Sequence, residues 1–218
     1  MSRLYKEPSF ILLLGSYDPL TKSRLETVKE TLVKKFQAEQ LFAFLLDRVE
    51  IYYGAGSEGQ NRYEIITELY DEDRVTVFLF TEGHLLDTVD MDVEHRVDET
   101  VYAFLKQRYN IIQFNRIPVI NKLNVLMRES KVIFLIREKE ETRGGEYLEL
   151  MHALFEGHGE KIWSMVKNNI QLSQMLLEYL DKFGVKIRQY NSPEDLCTQA
   201  ERILSYRLPS SSQGLNSH

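Results

Sequence analysis

One cysteine, Cys197, stands in 218 residues, so no intrachain disulfide can form and no cysteine zinc cluster can be assembled. That usage suits a reducing compartment. No apolar run approaches the roughly 20 residues a membrane helix needs, and the opening MSRLYKEPSF lacks the long apolar core of a secretion signal. The expected address is the cytoplasm, with no membrane partner. Basic residues are in deficit, 27 Lys and Arg against 33 Asp and Glu, for a formal charge of −6. Such a balance argues against a broad phosphate-binding face for nucleic acid, although a local basic patch survives the average. There is no P-loop, internal repeat or low-complexity tract, and nothing in the sequence calls for a cofactor or a metal.

What remains is an alternation of apolar runs and amphipathic segments. Phe10 to Leu14 reads as a buried strand ending at Gly15, and Leu25, Val28, Leu32 and Phe36 recur at helical spacing behind it. Phe42 to Leu46 is a second run, closed by Asp47. A polar, glycine-rich loop from Gly54 to Asn61 follows, then a helix carrying Ile65, Ile66 and Leu69. Val75 to Phe80 makes a third strand and Val132 to Ile136 a fourth, separated by an acidic, mostly helical insertion around residues 84–124. Ile162 to Lys167 reads as a further strand, Leu172 to Phe183 as a helix ended by Gly184, and Val185 to Tyr190 as the last strand. Ser192-Pro193 opens a final helix, with serine as N-cap and proline at the first helical position.

Alternation of this kind predicts one α/β domain over residues 1–208 with a disordered serine-rich tail at 209–218. Its expected core is a flavodoxin-like, doubly wound, mostly parallel sheet of about five or six strands with helices on both faces. Ligands of such sheets gather above the strand carboxyl ends. The residues delivered there are Gly15, Ser16, Tyr17 and Asp18, then Asp47, then Thr81, Glu82 and Gly83, and then Arg143, Gly144, Gly145 and Glu146.

The stretch from Val132 to Gly159 is the most informative. A buried run, a double glycine and a helix start place backbone N–H groups where an anionic or hydroxyl-rich ligand is favoured. Gly145 precedes Glu149-Leu150-Met151-His152-Ala153, and this resembles the G-x-x-x-E-L-G-x-A signature of nucleoside 2-deoxyribosyltransferase-like proteins, with Met151 in place of its last glycine. The Gly15-to-Tyr17 turn is similar to the one with which that family holds a base. NAD-cleaving domains of the Toll/interleukin-receptor type share a related plan. The resemblance implies a nucleoside or nucleotide ligand and a carboxylate that attacks the anomeric carbon, stabilising an oxocarbenium-like state or forming a glycosyl intermediate.

Glu149 is the candidate nucleophile and Glu94 its rival, since Glu94 follows the third strand, where the family's order puts its acid. Tyr17 could stack on a base, Asp18 could accept a sugar hydroxyl, and His152 could contact the base. Arg24, one turn into the first helix, could hold a phosphate or pair with neighbouring acids. Plainer readings stand beside these. Glu146, Glu149 and Glu156 share a stripe opposite Tyr147, Leu150 and Leu154, the pattern of a solvated helix face. Asp18-Pro19 is also ordinary turn punctuation. Two further functional classes remain open: a non-catalytic nucleotide or protein-interaction module, in which the helix from Leu172 to Phe183 supports a homodimer, and a dinucleotide-binding protein using Gly54-x-Gly56-x-x-Gly59.

Overall fold

A computed structural model describes residues 8–16, 18–56, 62–71, 73–93, 96–139 and 145–208. In chain order the elements are β1 (Ser9–Gly15), α1 (Pro19–Lys35), β2 (Leu41–Leu45), β3 (Val49–Gly56), β4 (Arg62–Asp71), β5 (Arg74–Thr81), β6 (His84–Asp92), α2 (Val97–Tyr109) and β7 (Ile111–Arg116). They continue with α3 (Val119–Glu129), β8 (Ser130–Arg137), α4 (Gly145–Phe155), β9 (Ile162–Lys167), α5 (Gln174–Lys182), β10 (Lys186–Tyr190) and α6 (Pro193–Arg207). The chain forms two compact units, one built from the residues up to Leu46 together with those from Leu123 onward, the other from Asp47–Lys122.

The first unit holds a five-stranded sheet in the order β10-β9-β8-β1-β2, with every neighbouring pair parallel. All seven residues of β1 are buried, the continuous apolar run expected of a parallel strand covered on both faces. Ile11, Leu13, Val132, Phe134 and Met165 pack with Leu25, Val28 and Leu32 of α1 and with Leu196, Ala200 and Leu204 of α6. The alternate residues Leu12, Ile133 and Leu135 point to the opposite face and are equally buried. Helix starts follow from local chemistry. Asp18 caps α1 by accepting from the Leu20 and Thr21 amides, with Pro19 at the first position, and Ser192 caps α6 by accepting from the Asp195 amide ahead of Pro193.

The second unit is an antiparallel sheet in the order β6-β5-β4-β3-β7. Its core gathers Tyr52, Ile65, Val75, Val77, Leu79 and Ile111 with Val101 and Leu105 of α2.

This arrangement corrects the expectation of a single, mostly parallel, doubly wound sheet of about five or six strands. There are two five-stranded sheets, one parallel and one antiparallel. The helix expected at Ile65, Ile66 and Leu69 is strand β4. Both Ile65 and Ile66 are fully buried, so the period of two is hidden and the remaining spacing imitates a helix. The acidic run Asp87, Asp90 and Asp92 is not an irregular insertion but lies on β6, whose Asp90 accepts a hydrogen bond from Thr76 of β5 at 2.6 Å. The segment 84–124 therefore mixes strands β6 and β7 with α2 and part of α3. Gly54 and Gly56 sit within β3, and β3 pairs with β4 as neighbouring antiparallel strands. Among the described residues the next element after them is strand β4 and no helix N-terminus that could receive a pyrophosphate; Gly59, like the tail at 209–218, lies outside the described residues.

Gly54 answers instead to packing. A Cβ there would stand 2.9 Å from both Ile111 Cγ2 and Ile65 Cδ1. Gly54→Ala is expected to destabilise the protein by about 1–3 kcal/mol, measured by urea denaturation; an unchanged midpoint would contradict this packing.

Candidate functional site at the carboxyl edge of the parallel sheet

β1 and β8 lie side by side, with Gly15 opposite Ile136. Counting only its own strands, this sheet has the order 2-1-3-4-5. The connections leave these two strands in opposite directions, which opens a crevice beyond their carboxyl ends, the usual position of a ligand in sheets of this kind.

Glu138 follows the last residue of β8 and its side chain is only 1% exposed. Two cations hold it: Arg24 Nε of α1 donates to Oε1 at 2.7 Å, and Lys167 Nζ, at the end of β9, donates to Oε2 at 3.2 Å. Burial alone would raise this carboxyl, but the hydrogen bonds from Arg24 and Lys167 outweigh it and keep it below the ordinary glutamate range. Tyr190 closes β10, donates to the Arg137 carbonyl at 3.1 Å, and has its hydroxyl driven far above the usual phenol range by burial and by the Glu138 charge. Arg137 in turn donates to the Tyr147 hydroxyl at 2.6 Å and lies over that ring, 4.8 Å from its centroid.

Next to this cluster, Asp18 accepts from Thr21 Oγ1 at 2.7 Å and from Lys139 Nζ at 3.0 Å. Burial would raise its carboxyl, yet the Thr21 and Lys139 hydrogen bonds hold it well below the usual carboxylate range. Among the described residues Arg24, Lys139 and Lys167 bond Glu138 and Asp18, and the Glu194 charge also acts on Arg24. Lys139 and Lys167 extend to solvent with side chains 49% and 35% exposed, where an anion can approach them.

The residues singled out by sequence are dispersed. Gly15 ends β1, where a Cβ would stand 2.9 Å from the Ile136 carbonyl oxygen and 3.0 Å from Thr21 Cγ2, so close packing of β8 and α1 accounts for the glycine. Ser16 is half-buried at the strand exit, and Asp18 is engaged as the α1 cap. Asp47 is an exposed residue of the second unit, in the turn between β2 and β3. Gly145 starts α4 with open space where a Cβ would go. Glu149 is half-buried on α4, with Oε2 shielded from solvent, and His152 Nε2 meets Asn124 Oδ1. Tyr17, Glu94 and Gly144 lie outside the described residues, as does the Glu146 side chain.

Sequence reasoning passed over Glu138, Arg137, Lys167 and Tyr190. A signal existed for three of them: Arg137, Glu138 and Lys167 stand at or just beyond the end of an apolar strand, where charge cannot be accommodated inside the core without partners. Set against models of known protein families and against curated proteins, the chain matches none. No described helix is long and apolar enough to cross a membrane.

Glu138→Gln leaves Arg24 and Lys167 facing a neutral group, and a loss of about 3 kcal/mol in unfolding free energy is expected. The folded-state pKa of Glu138 is lowered, so its contribution is full above the unfolded value, about 4.3, and fades as pH falls through the folded value. Urea titrations of both proteins from neutral to acid pH should therefore converge. A gap that persists or widens in acid contradicts the charged clamp.

Proposed function

We propose that the carboxyl edge of the parallel sheet binds a nucleotide, with the phosphates drawn to Arg24, Lys139 and Lys167 and the nucleoside lying toward the turn that begins at Gly15 and Ser16. The observation that carries this reading is the convergence of Arg24, Lys139 and Lys167, two of them reaching solvent, around a buried, charged Glu138 at the β1–β8 crevice. Arginine and lysine supply charge-assisted bonds to phosphate oxygens, and cations already oriented by Glu138 and Asp18 lose little freedom on binding.

Cleavage of an N-glycosidic bond extends the proposal through the resemblance to nucleoside 2-deoxyribosyltransferase-like proteins. In that scheme a carboxylate oxygen of Glu149 attacks the anomeric carbon, the base departs with the bonding electron pair, and water releases the sugar. Glu94 is the second candidate for this step. A non-catalytic nucleotide-binding module is favoured by a separate observation: Asp18 and Glu138 both use their oxygens to hold protein donors.

The test is calorimetric titration with nucleosides, nucleotides and NAD, together with chromatography for released base. Nucleotide binding that weakens about tenfold or more in Arg24→Ala supports the site. Base release lost in Glu149→Gln with nucleotide affinity retained supports the enzyme, whereas binding without release supports the module. Absence of binding across the panel rejects both.

A further inference from the structure

A second cationic cluster lies beneath α6. On the face of the parallel sheet that α6 covers, a cavity of about 620 Å³ opens between β9 and β10 and the length of α6 from Asp195 to Arg207, with its cations toward the strand starts and the later turns of the helix. Its strand side is Trp163, Lys186 and Arg188, and its helix side includes Arg202, Tyr206 and Arg207. The carboxyl-edge cluster uses Lys167 and Tyr190, the last residues of the same strands. Four residues of β9 separate Trp163 from Lys167, a distance of about 13 Å at the usual rise of an extended strand.

Two features of this cavity point to a ligand. Among the described residues none of its four cations, Lys186, Arg188, Arg202 and Arg207, forms an ion pair. Its carboxylate, Asp195, is already used: Oδ2 accepts from the Asn191 amide at 2.9 Å and Oδ1 from Gln199 Nε2 at 3.1 Å. Convergent like charges in a chain of formal charge −6 are mutually repulsive when empty and are relieved by an anion.

Aromatic surface is the second feature. Lys186 Nζ and Arg188 Cζ sit 5.1 and 5.7 Å from the Trp163 ring centroid, so the indole orients both cations at the cavity floor. Tyr206 is 89% exposed at the rim, an apolar ring left in water unless something flat stacks on it.

A single-stranded nucleic acid would also use cations and aromatic rings, but it needs a groove that tracks several nucleotides. This site is a half-open cleft of about 620 Å³, within the size range of small-molecule pockets, about 300–1,000 Å³. We propose that the cleft between α6 and the starts of β9 and β10 is a second ligand site that takes a small polyphosphorylated molecule bearing a flat ring, the class of a nucleoside triphosphate. Arg202, Arg207, Lys186 and Arg188 receive the phosphates, and Tyr206 stacks on the ring. The inference is independent of the function proposed for the carboxyl edge.

Trp163 is the single tryptophan of the chain and lines this cleft, so its emission reports occupancy directly. The full-length protein is titrated with ATP, with tripolyphosphate and with a short oligothymidylate. The expected result is a saturable change in Trp163 emission with ATP. It should weaken about tenfold or more for each of Arg202→Ala and Arg207→Ala and remain in Arg24→Ala. Arg202, Tyr206 and Arg207 are exposed, so these variants leave the core intact; Tyr206→Ala should weaken ATP binding without altering that of tripolyphosphate. No emission change at saturating ATP, an unchanged affinity in both arginine variants, equal affinity for tripolyphosphate and ATP, or binding of the oligothymidylate alone would each overturn the proposal.

Discussion

A buried carboxylate at the end of a central strand constrains the whole parallel unit. Glu138 lies where β8 emerges from the core, and an uncompensated charge there would cost several kcal/mol. Its compensation comes from Arg24 on α1 and Lys167 at the end of β9, with Tyr190 of β10 drawn in through the same cluster. One anion thus links the first helix, the central strand and the two strands beyond it at the carboxyl edge. The same cations that satisfy Glu138 are the ones the proposal assigns to phosphate, so the demands of folding and of the proposed ligand fall on one set of contacts.

Between β2 and β8, where a parallel sheet requires only a crossover, the chain inserts a complete antiparallel unit with its own core. The parallel unit is assembled from two stretches of sequence, and its order is intact when the inserted strands are left out. The insertion explains why so long a chain contributes only five strands to the sheet that carries the candidate site.

Most of the parallel unit was legible from sequence because its signals are local. β1 and β8 are unbroken apolar runs, the α1 stripe of Leu25, Val28 and Leu32 keeps helical spacing, and Ser192-Pro193 marks the start of α6. In the antiparallel unit β5 and the helix within 84–124 were legible, but the sheet was not, because β4 is buried on both sides at Ile65 and Ile66 and β6 carries three aspartates on an edge. The candidate site was legible in place more than in membership. Gly15 to Asp18 and the region beyond β8 were found, but Asp18 turned out to serve its own helix. The acid that organises the edge is Glu138, which pairs with residues distant in sequence and belongs to no local motif. Pairings of that kind are visible only once the strands have been brought together.

The central claim is that the edge around Glu138 is where a nucleotide binds. Amide hydrogen exchange followed along the chain with and without a saturating nucleotide tests it most directly, because a bound ligand slows exchange in the backbone it covers. The account predicts added protection at the exits of β1 and β8 and in the first turn of α1. Protection confined to Asp47–Lys122, or none at the β1 and β8 exits while binding is measurable, would contradict it.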